Sequence, residues 1–198
     1  MSHSSNRGIA NAWYGGSIES FLTDDANGVL GQLSLHAGDG HFAAQRDAWL
    51  EQIEILQNRL KGLEGWIFFE FNIPRMGRRV DVILVLHSVI FALEFKVGET
   101  TYKRQDVDQV WDYALDLKNF HEASHNVAIA PVLVATEAES VDARFEVDAD
   151  NVYRPVLTNA TGLRDVLEMG ISVAKGSALD ATVWANAPSP PPPPFTGP

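Results

Sequence analysis

The 198-residue sequence contains no cysteine, and its basic residues are fewer than its acidic ones. The lack of cysteine excludes disulfide bonds, thiolate metal sites and cysteine nucleophiles, and it is typical of a cytoplasmic protein. Fifteen Lys and Arg residues against 26 Asp and Glu residues give a formal net charge of −11. The chain therefore lacks the general basic character expected of a protein that binds nucleic acid through charge alone.

The sequence also lacks long apolar runs and phosphate-binding loops. No apolar run approaches the roughly 20 residues of a membrane-spanning helix, and the N-terminus lacks the apolar core of a secretory signal. We therefore expect a cytoplasmic protein without a membrane anchor. No G-x-x-x-x-G-K-[ST] motif occurs, so this chain cannot itself be a P-loop ATPase. A hydrophobic content of 45% suits one sizeable core, and we expect one domain with extensions.

Two adjacent apolar runs carry three charged residues in a D-x12-E-x-K array. Asp81 lies in the first run, and Glu94 and Lys96 lie in the second. Both runs are short and rich in β-branched and aromatic residues, which predicts strands rather than helices. Only His87 and Ser88 separate the runs, so we predict a β-hairpin that turns at these two residues.

A turn centred between those two residues would place Asp81 directly opposite Glu94, with Cβ atoms about 4.5–5.5 Å apart. Lys96 lies two positions further along and returns to the same face of the strand. Opposed carboxylates repel each other unless a positive group lies between them, and Mg²⁺ prefers oxygen ligands. The array therefore predicts a divalent metal site. The alternatives are the solvated face of an antiparallel ribbon and a simple ion pair between Lys96 and Glu94.

An amphipathic pattern over residues 103–120 predicts a helix directly after the hairpin. Gln109 and Tyr113 are four positions apart, so they share one face of that helix. The candidate core residues of the helix are Val107, Val110, Trp111, Ala114, Leu115 and Leu117.

These residues together resemble the PD-(D/E)XK nuclease superfamily. Within it, the chain resembles the nuclease-like module at the N-terminus of some bacterial P-loop ATPases related to helicases. The resemblance covers about residues 42–160 and is carried by segments 73–81, 93–98, 109–121 and 131–136. It implies an α/β fold with a restriction-endonuclease-like αβββαβ core, in which helices flank a mixed sheet. It also implies a context of bacterial defence or DNA repair, with a P-loop ATPase domain or subunit as a candidate partner that is missing here.

The resemblance also implies roles for the residues of the array. Asp81 and Glu94 would bind Mg²⁺ or Mn²⁺ with help from the backbone carbonyl of Phe95, and Lys96 would position or activate the attacking water. Such a metal lowers the pKa of water and binds phosphate oxygens, while a nearby Lys stabilises developing charge. We therefore expect metal-dependent hydrolysis of phosphodiester bonds, with DNA as the substrate. In the superfamily pattern, Gln109 and Tyr113 would contact the nucleic-acid strand or brace the site.

Many members of the superfamily add an acidic residue from the helix that precedes the sheet. The predicted helix covers residues 42–63, and its buried stripe comprises Trp49, Ile53, Leu56 and Leu60. Glu51 and Glu54 are the candidates on this helix. We predict Glu54, because it lies closer to the edge of the apolar stripe at 100° per residue. Glu70, in the predicted strand 66–73, is a third candidate that we expect behind the metal ligands.

The positive residues are concentrated near the array. Arg75, Arg78 and Arg79 precede Asp81 and could contact the phosphates of nucleic acid. The alternative is a solvated cluster in a loop. The further cations on the other side of the array are Lys96, Lys103 and Arg104.

The segment from His121 to His125 matches the zinc-protease pattern H-E-x-x-H. That chemistry needs a helix through the whole motif and a third ligand further on. Here Asn126 and a predicted strand over residues 127–135 follow at once, so a zinc metalloprotease ranks third among the candidate functions. We expect His121 and His125 instead to cap the end of the helix, where cations suit the helix dipole, or to approach a phosphate backbone.

The predicted organisation has three parts. Residues 1–41 form an N-terminal extension, in which 1–8 are disordered and 18–35 carry two short helices. Residues 42–172 form the nuclease-like domain, which ends with a fifth strand over 151–157 and a closing helix over 162–169. Residues 173–198 form a linker and a Pro-rich tail that acts as a stiff spacer. The leading alternative function is a catalytically silent nuclease fold that binds DNA or docks a partner, and a homo-oligomer is compatible with the sequence.

Overall fold

The computed structural model describes residues 9–37, 42–73 and 75–188, except for the side chains of Phe42 and Ala149. The protein is an α/β fold with one mixed sheet of six strands and helices on both faces. The strands are β1 (Tyr14–Ser17), β2 (Trp66–Ile73), β3 (Arg78–Leu86), β4 (Val89–Lys96), β5 (Ala128–Ala135) and β6 (Val156–Thr158). The helices are α1 (Ile18–Thr23), α2 (Ala26–Ser34), α3 (Phe42–Arg59), α4 (Arg104–Phe120), α5 (Leu163–Val173) and α6 (Ala181–Ala185).

The order of the strands in the sheet follows their order in the chain, from β1 to β6. Strands β1 to β4 pair in antiparallel fashion, whereas β4, β5 and β6 run parallel. Helix α4 provides the crossover that a parallel connection between β4 and β5 requires. The expected mixed sheet, in which an antiparallel hairpin joins a parallel crossover, is therefore confirmed.

The sheet separates two hydrophobic layers. Helices α1, α2, α3 and α5 cover one face, and α4 and α6 cover the other. The predicted buried stripe is confirmed, because none of its four members is more than 2% exposed. Helix α3 ends at Arg59, earlier than predicted, so the last member, Leu60, directly follows it. Helices α3 and α4 thus pack on opposite faces of the same strands, β2 to β4. The charged residues of the hairpin lie between these two helices.

The N-terminal segment is more closely joined to the core than the sequence suggested. Strand β1, which the apolar pattern did not predict, pairs with β2 along its whole length. The two expected short helices are present, and they bury Ile18, Phe21 and Leu33 completely in the layer beneath α3. A four-residue strand with two glycines is too short to produce a clear alternation. The described part of this extension, residues 9–37, therefore completes the sheet instead of standing apart from it.

The C-terminal segment also contributes to the core. Helix α6 lies within the expected linker, yet its Trp184 is only 2% exposed and packs in the layer formed by α4. The expected fifth strand is shorter, Val156–Thr158, and the closing helix is longer, Leu163–Val173. The expected disorder of residues 1–8 and the Pro-rich tail lie outside the described residues. Within the described ranges, no helix combines the length and the apolar character needed to cross a bilayer.

Candidate active site

The β3–β4 hairpin has the register that the sequence predicted. The ladder runs from the pair Val82–Leu93 to the pair Leu86–Val89, and a two-residue turn joins the strands. His87 has a φ of 53°, the left-handed conformation that tight hairpins use in their turn. Beyond the last regular pair, the next facing positions are those of Asp81 and Glu94. The sequence thus correctly predicted which carboxylates the hairpin would bring together.

A third carboxylate joins them from β2. The β2–β3 ladder is interrupted at Glu70, which lies across from Asp81 between two regular pairs. Glu70 has a φ of 50°, and such a conformation costs a residue other than glycine about 1–3 kcal/mol. Phe68 and Phe71 pack in the same layer although they are three positions apart, so the alternation of the strand shifts here. Interruptions of this kind re-aim side chains, often beside functional sites.

Glu70, Asp81 and Glu94 therefore occupy facing positions on three adjacent strands, and we refer to them as the carboxylate row. Both oxygens of Glu70 are hydrogen bonded. The indole Nε1 of Trp49 on α3 donates to Oε1 at 2.9 Å, and Nε of Arg79 donates to Oε2 at 3.0 Å. These two bonds connect the row to α3 and to the start of β3.

Asp81 lies at the centre of the row and is held by the backbone of β4. The N–H of Phe95 donates to Asp81 Oδ2 at 2.8 Å. The carbonyl of the same residue, Phe95, is the one to which the resemblance assigns a metal. The role of that carbonyl stays a prediction, and the hydrogen bond shows that Asp81 and the Phe95 backbone are close neighbours.

Lys96 connects the row to α4. Its Nζ lies 3.0 Å from Glu94 Oε1 and 3.4 Å from Asp106 Oδ1, and it donates to Gln109 Oε1 at 3.0 Å. Gln109 in turn donates from Nε2 to the hydroxyl of Tyr113 at 2.7 Å. The structure thus brings both expected helix residues next to the array. It also contains the Lys96–Glu94 ion pair that was the simplest alternative explanation of the sequence.

Asp106 is the member of this group that sequence reasoning missed. It lies in the first turn of α4 and is 6% exposed. Its side chain shares a helix face with Gln109 and Tyr113, because positions i, i+3 and i+7 form one stripe. The same spacing rule that selected the other two residues would have found Asp106, had the stripe been extended towards the start of the helix.

Burial dominates the electrostatics of the site. It raises the pKa of Asp81 well above the usual range, and the negative charges of Glu94 and Glu70 raise it further. Burial also raises the pKa of Glu94, although the adjacent Lys96 ammonium opposes this shift. For Lys96 itself, burial acts to lower the pKa, but its ion pairs with Glu94 and Asp106 outweigh burial and raise it. The site therefore keeps Lys96 protonated and leaves the carboxylates short of positive charge.

The donor set suits a hard divalent cation. Glu94 Oε2 is buried and has no hydrogen-bond partner among the described residues. Carboxylate oxygens are the ligands that Mg²⁺ and Mn²⁺ prefer, and a cation would relieve the repulsion within the row. In the part of the chain that the structure describes, no three acidic, His or Cys side chains are gathered closely enough to hold a metal as they stand. The positive charges nearest to the row are the Lys96 ammonium, 3.0 Å from Glu94, and the Arg79 guanidinium, 3.0 Å from Glu70.

The structure does not bring Glu54 to the row. Glu54 is exposed and borders a surface cavity of about 320 Å³ together with Leu22, Gln57, Asn58 and Lys61. It lies five positions after Trp49, so its side chain points about 140° away from the indole that contacts the row. The predicted choice of Glu54 is therefore not supported, and Glu70 supplies the third carboxylate. Proximity to the apolar edge was a poor guide because it did not show which edge faces the strands.

The three arginines differ in their surroundings. Arg79 bonds Glu70, and its guanidinium carbon lies 4.4 Å from the centroid of the Trp13 ring. Arg78 forms ion pairs with Asp116 at 3.4 Å and with Asp112 at 3.8 Å. Arg75 is exposed in the turn between β2 and β3, with a φ of 67°. Arg78 and Arg79 are thus held by carboxylates, and their expected contact with phosphates stays a prediction.

The sequence predicted that no single helix continues through the H-E-x-x-H segment, and the structure confirms this. Helix α4 ends at Phe120, and His121 is extended with a φ of −112° and a ψ of 110°. His121 is completely buried, with its Nδ1 2.7 Å from Ser124 Oγ and its ring centroid 4.7 Å from that of Trp184. Burial lowers the pKa of His121 to about 4. His121 is the C-cap residue of α4, as expected, and its backbone N–H donates to the Leu117 carbonyl at 3.1 Å. The lowered pKa disfavours the cationic imidazole that this expectation assumed.

His125 is exposed and ends the short 3₁₀ turn Glu122–Ser124, whereas His121 is buried. The two imidazoles consequently do not face a common ligand position.

No protein-family model matches the chain, and neither the curated proteins nor the solved structures yield a match.

Proposed function

We propose that this protein is a metal-dependent nuclease domain of the PD-(D/E)XK type that hydrolyses phosphodiester bonds in DNA. The observation that carries the proposal is the carboxylate row beside Lys96. Packing of an α/β fold gives no reason to align three carboxylates on adjacent strands, where they repel one another. The order of α3, β2, β3, β4, α4 and β5 agrees with the αβββαβ core that the resemblance implies.

Asp81 and Glu94, with the Phe95 carbonyl, would hold the Mg²⁺ or Mn²⁺ ion. Such an ion, when bound, lowers the pKa of a water molecule and neutralises charge on the phosphate. Glu94 offers its free Oε2 for this purpose while Oε1 remains with Lys96. The remaining chemistry is done by the side chains around these ligands.

Lys96 acts as a fixed donor to the reacting phosphate or to the attacking water. Its ion pairs with Glu94 and Asp106 raise its pKa, which favours the charged ammonium. A preorganised ammonium beside developing negative charge stabilises the transition state without reorganisation. Of the two roles expected for Lys96, the surroundings therefore favour positioning over activation by proton removal.

Gln109 and Tyr113 brace the site. Gln109 accepts from Lys96 and donates to the Tyr113 hydroxyl, so both of its amide atoms are used within the protein. Asp106 holds the same ammonium from the other side. These contacts favour the supporting role for Gln109 over a direct contact with the nucleic-acid strand.

A catalytically silent nuclease fold is the second candidate, and one observation favours it. The charges pair within the protein, since Lys96 partly neutralises Glu94 and Arg79 neutralises Glu70. A network of this kind can serve stability alone. The module would then bind DNA or dock a partner such as a P-loop ATPase subunit, without cutting.

Cleavage of circular and linear DNA in Mg²⁺, Mn²⁺ or EDTA tests the proposal. Wild-type protein is compared with Asp81→Asn and Lys96→Ala, with exposed Glu54→Gln as the matched control. Metal-dependent cutting that both site variants lose and the control retains would support the nuclease. Thermal unfolding with and without Mn²⁺ gives a second readout, because a ligand that binds the folded state raises its melting temperature. If no cutting and no metal-dependent rise occur, the silent module is the better explanation.

A further inference from the structure

The line of facing positions continues beyond the carboxylate row onto the N-terminal strand. Tyr14 pairs with Phe69 at the start of the β1–β2 ladder, and the N–H of Trp13 donates to the Phe69 carbonyl at 3.1 Å. One further step in this antiparallel register places Trp13 across from Glu70. Adjacent strands are about 4.8 Å apart, so the Trp13 backbone is roughly 10 Å from that of Asp81.

Planar groups are layered at this point, and we call Trp13, His36 and Arg79 the Trp13 stack. The Arg79 guanidinium lies over the indole at 4.4 Å. The His36 imidazole lies almost parallel to the indole, with centroids 5.5 Å apart and an interplanar angle of 23°. The same Arg79 bonds Glu70 at 3.0 Å, so the stack is in direct contact with the carboxylate row.

Core packing explains only part of this arrangement. Trp13 is half-buried and meets buried Trp49 edge to face, with centroids 5.9 Å apart. His36, in contrast, is exposed, and neighbouring Leu35 is 84% exposed. An exposed imidazole lying flat on an indole buries little surface. His36 is therefore an exposed aromatic residue in a stack whose Arg79 bonds Glu70 of the carboxylate row.

We propose that the Trp13 stack binds an unpaired nucleobase next to the scissile phosphate. The base stacks on the exposed face of His36, which Trp13 supports from behind. This inference rests on the proposed nuclease function and specifies its substrate class as nucleic acid with a single-stranded segment at the cut. An unpaired base can offer its flat face to a side chain, whereas a base inside a duplex is covered on both faces by its neighbours.

The charge of the protein supports this choice. With a formal net charge of −11, the chain gains little affinity from general attraction to phosphates. Arg79 is itself paired with Glu70. Base–aromatic stacking provides affinity that does not depend on net charge and tolerates any base sequence.

Binding measured in the absence of cutting tests the inference. The full chain carrying Asp81→Asn is titrated into a fluorescein-labelled single-stranded DNA oligonucleotide, the same oligonucleotide without bases, and a blunt duplex. The added variants are His36→Ala, His36→Phe and, as the matched control, Leu35→Ala. Thermal unfolding confirms that each variant is folded, which exposed positions should tolerate.

We expect His36→Ala to weaken binding of the single strand about tenfold, within the range found when a stacking aromatic is removed. His36→Phe should restore binding, and Leu35→Ala should not change it. For the baseless strand and for the duplex, the affinity of each His36 variant should equal that of the Asp81→Asn parent. Equal single-strand binding by His36→Ala and the parent, or equal weakening for the baseless strand, would overturn the inference. Metal-dependent cutting by wild-type protein would be unaffected by that failure, so the two proposals fail separately.

Discussion

Two segments of this chain carry patterns typical of metal sites, and the fold treats them in opposite ways. The D-x12-E-x-K array comes together because the register of a hairpin sets its carboxylates face to face. The H-E-x-x-H segment does not form a helical metal site, because helix α4 ends before the first histidine of the segment. Spacing in sequence is therefore informative only together with the element that converts it into distance.

The electrostatics of the two segments differ just as clearly. Around Asp81, the carboxylates lie beside the Lys96 ammonium, and burial above all raises the pKa values of Asp81 and Glu94. Around His121, aromatic rings exclude charge, and the imidazole is neutral. A site that binds a cation must tolerate buried negative charge, and only the first segment does so. The predictions below test this contrast in decreasing order of expected effect.

The largest effect is expected at the centre of the row. Asp81→Asn should reduce metal-dependent cleavage about a thousandfold or more, which corresponds to about 4 kcal/mol of transition-state stabilisation. Burial raises the pKa of Asp81, so its ionisation at neutral pH costs folding free energy that an amide does not incur. The variant should therefore unfold at the same or a higher temperature than wild type at neutral pH, and this gain should vanish in acid. A marked loss of stability would show instead that the carboxylate is structural.

The second effect concerns stability in acid. Unfolded His121 takes up a proton near pH 6.5, whereas folded His121 does so only near pH 4. The unfolded state thus binds more protons in this window, and stability falls as the pH falls, by up to about 3 kcal/mol. Denaturant unfolding at several pH values measures this slope.

His121→Gln should flatten that slope, and the exposed His125→Ala should keep it. An identical acid sensitivity in His121→Gln and wild type would show that other groups account for it. The pair of variants would then no longer distinguish the buried imidazole from the exposed one.

A smaller effect is expected for the residue that holds Lys96 from α4. Asp106→Asn should lower the cleavage rate about 10- to 100-fold, as loss of a supporting partner behind a metal site usually does. DNA binding should change little, because Asp106 is buried and touches Lys96. Single-turnover rates beside binding titrations separate the two quantities. A loss confined to binding would contradict the positioning role.

The smallest effects distinguish the two candidate acids of the N-terminal half. Glu70→Gln should lower cleavage about tenfold, because it removes a charge from the row and weakens its bond with Arg79. Glu54→Gln should leave activity and stability within the roughly 0.5 kcal/mol typical of surface changes. Parallel rate measurements on the two variants would reverse this assignment if Glu54→Gln proved the more damaging.

The residues that could be predicted from the sequence are those governed by local periodicity. Strand alternation with a two-residue turn was enough to pair Asp81 with Glu94, and helical spacing was enough to group Gln109 with Tyr113. The mixed sheet followed from the order of strands and helices. These predictions depend only on residues that are close together in the chain, and this is why the structure confirms them.

The residues that could not be predicted depend on contacts distant in sequence or on irregular backbone. The positive φ of Glu70 breaks the alternation that sequence reasoning assumes, so its place in the row was hidden. Glu54 was chosen without knowing which edge of α3 meets the strands. Strand β1 and helix α6 are too short to show a period, and tertiary packing alone determines where they lie.

The order of strands in the sheet has a consequence for how the protein folds. Because β2, β3 and β4 are consecutive in the chain and adjacent in space, the carboxylate row is complete within a single meander. Local pairings of this kind form early, since they require only short loops to close. We therefore expect the repelling carboxylates to meet before β5 and β6 extend the sheet beyond β4. A divalent cation or the Lys96 ammonium would then act as a folding partner as well as a catalytic one.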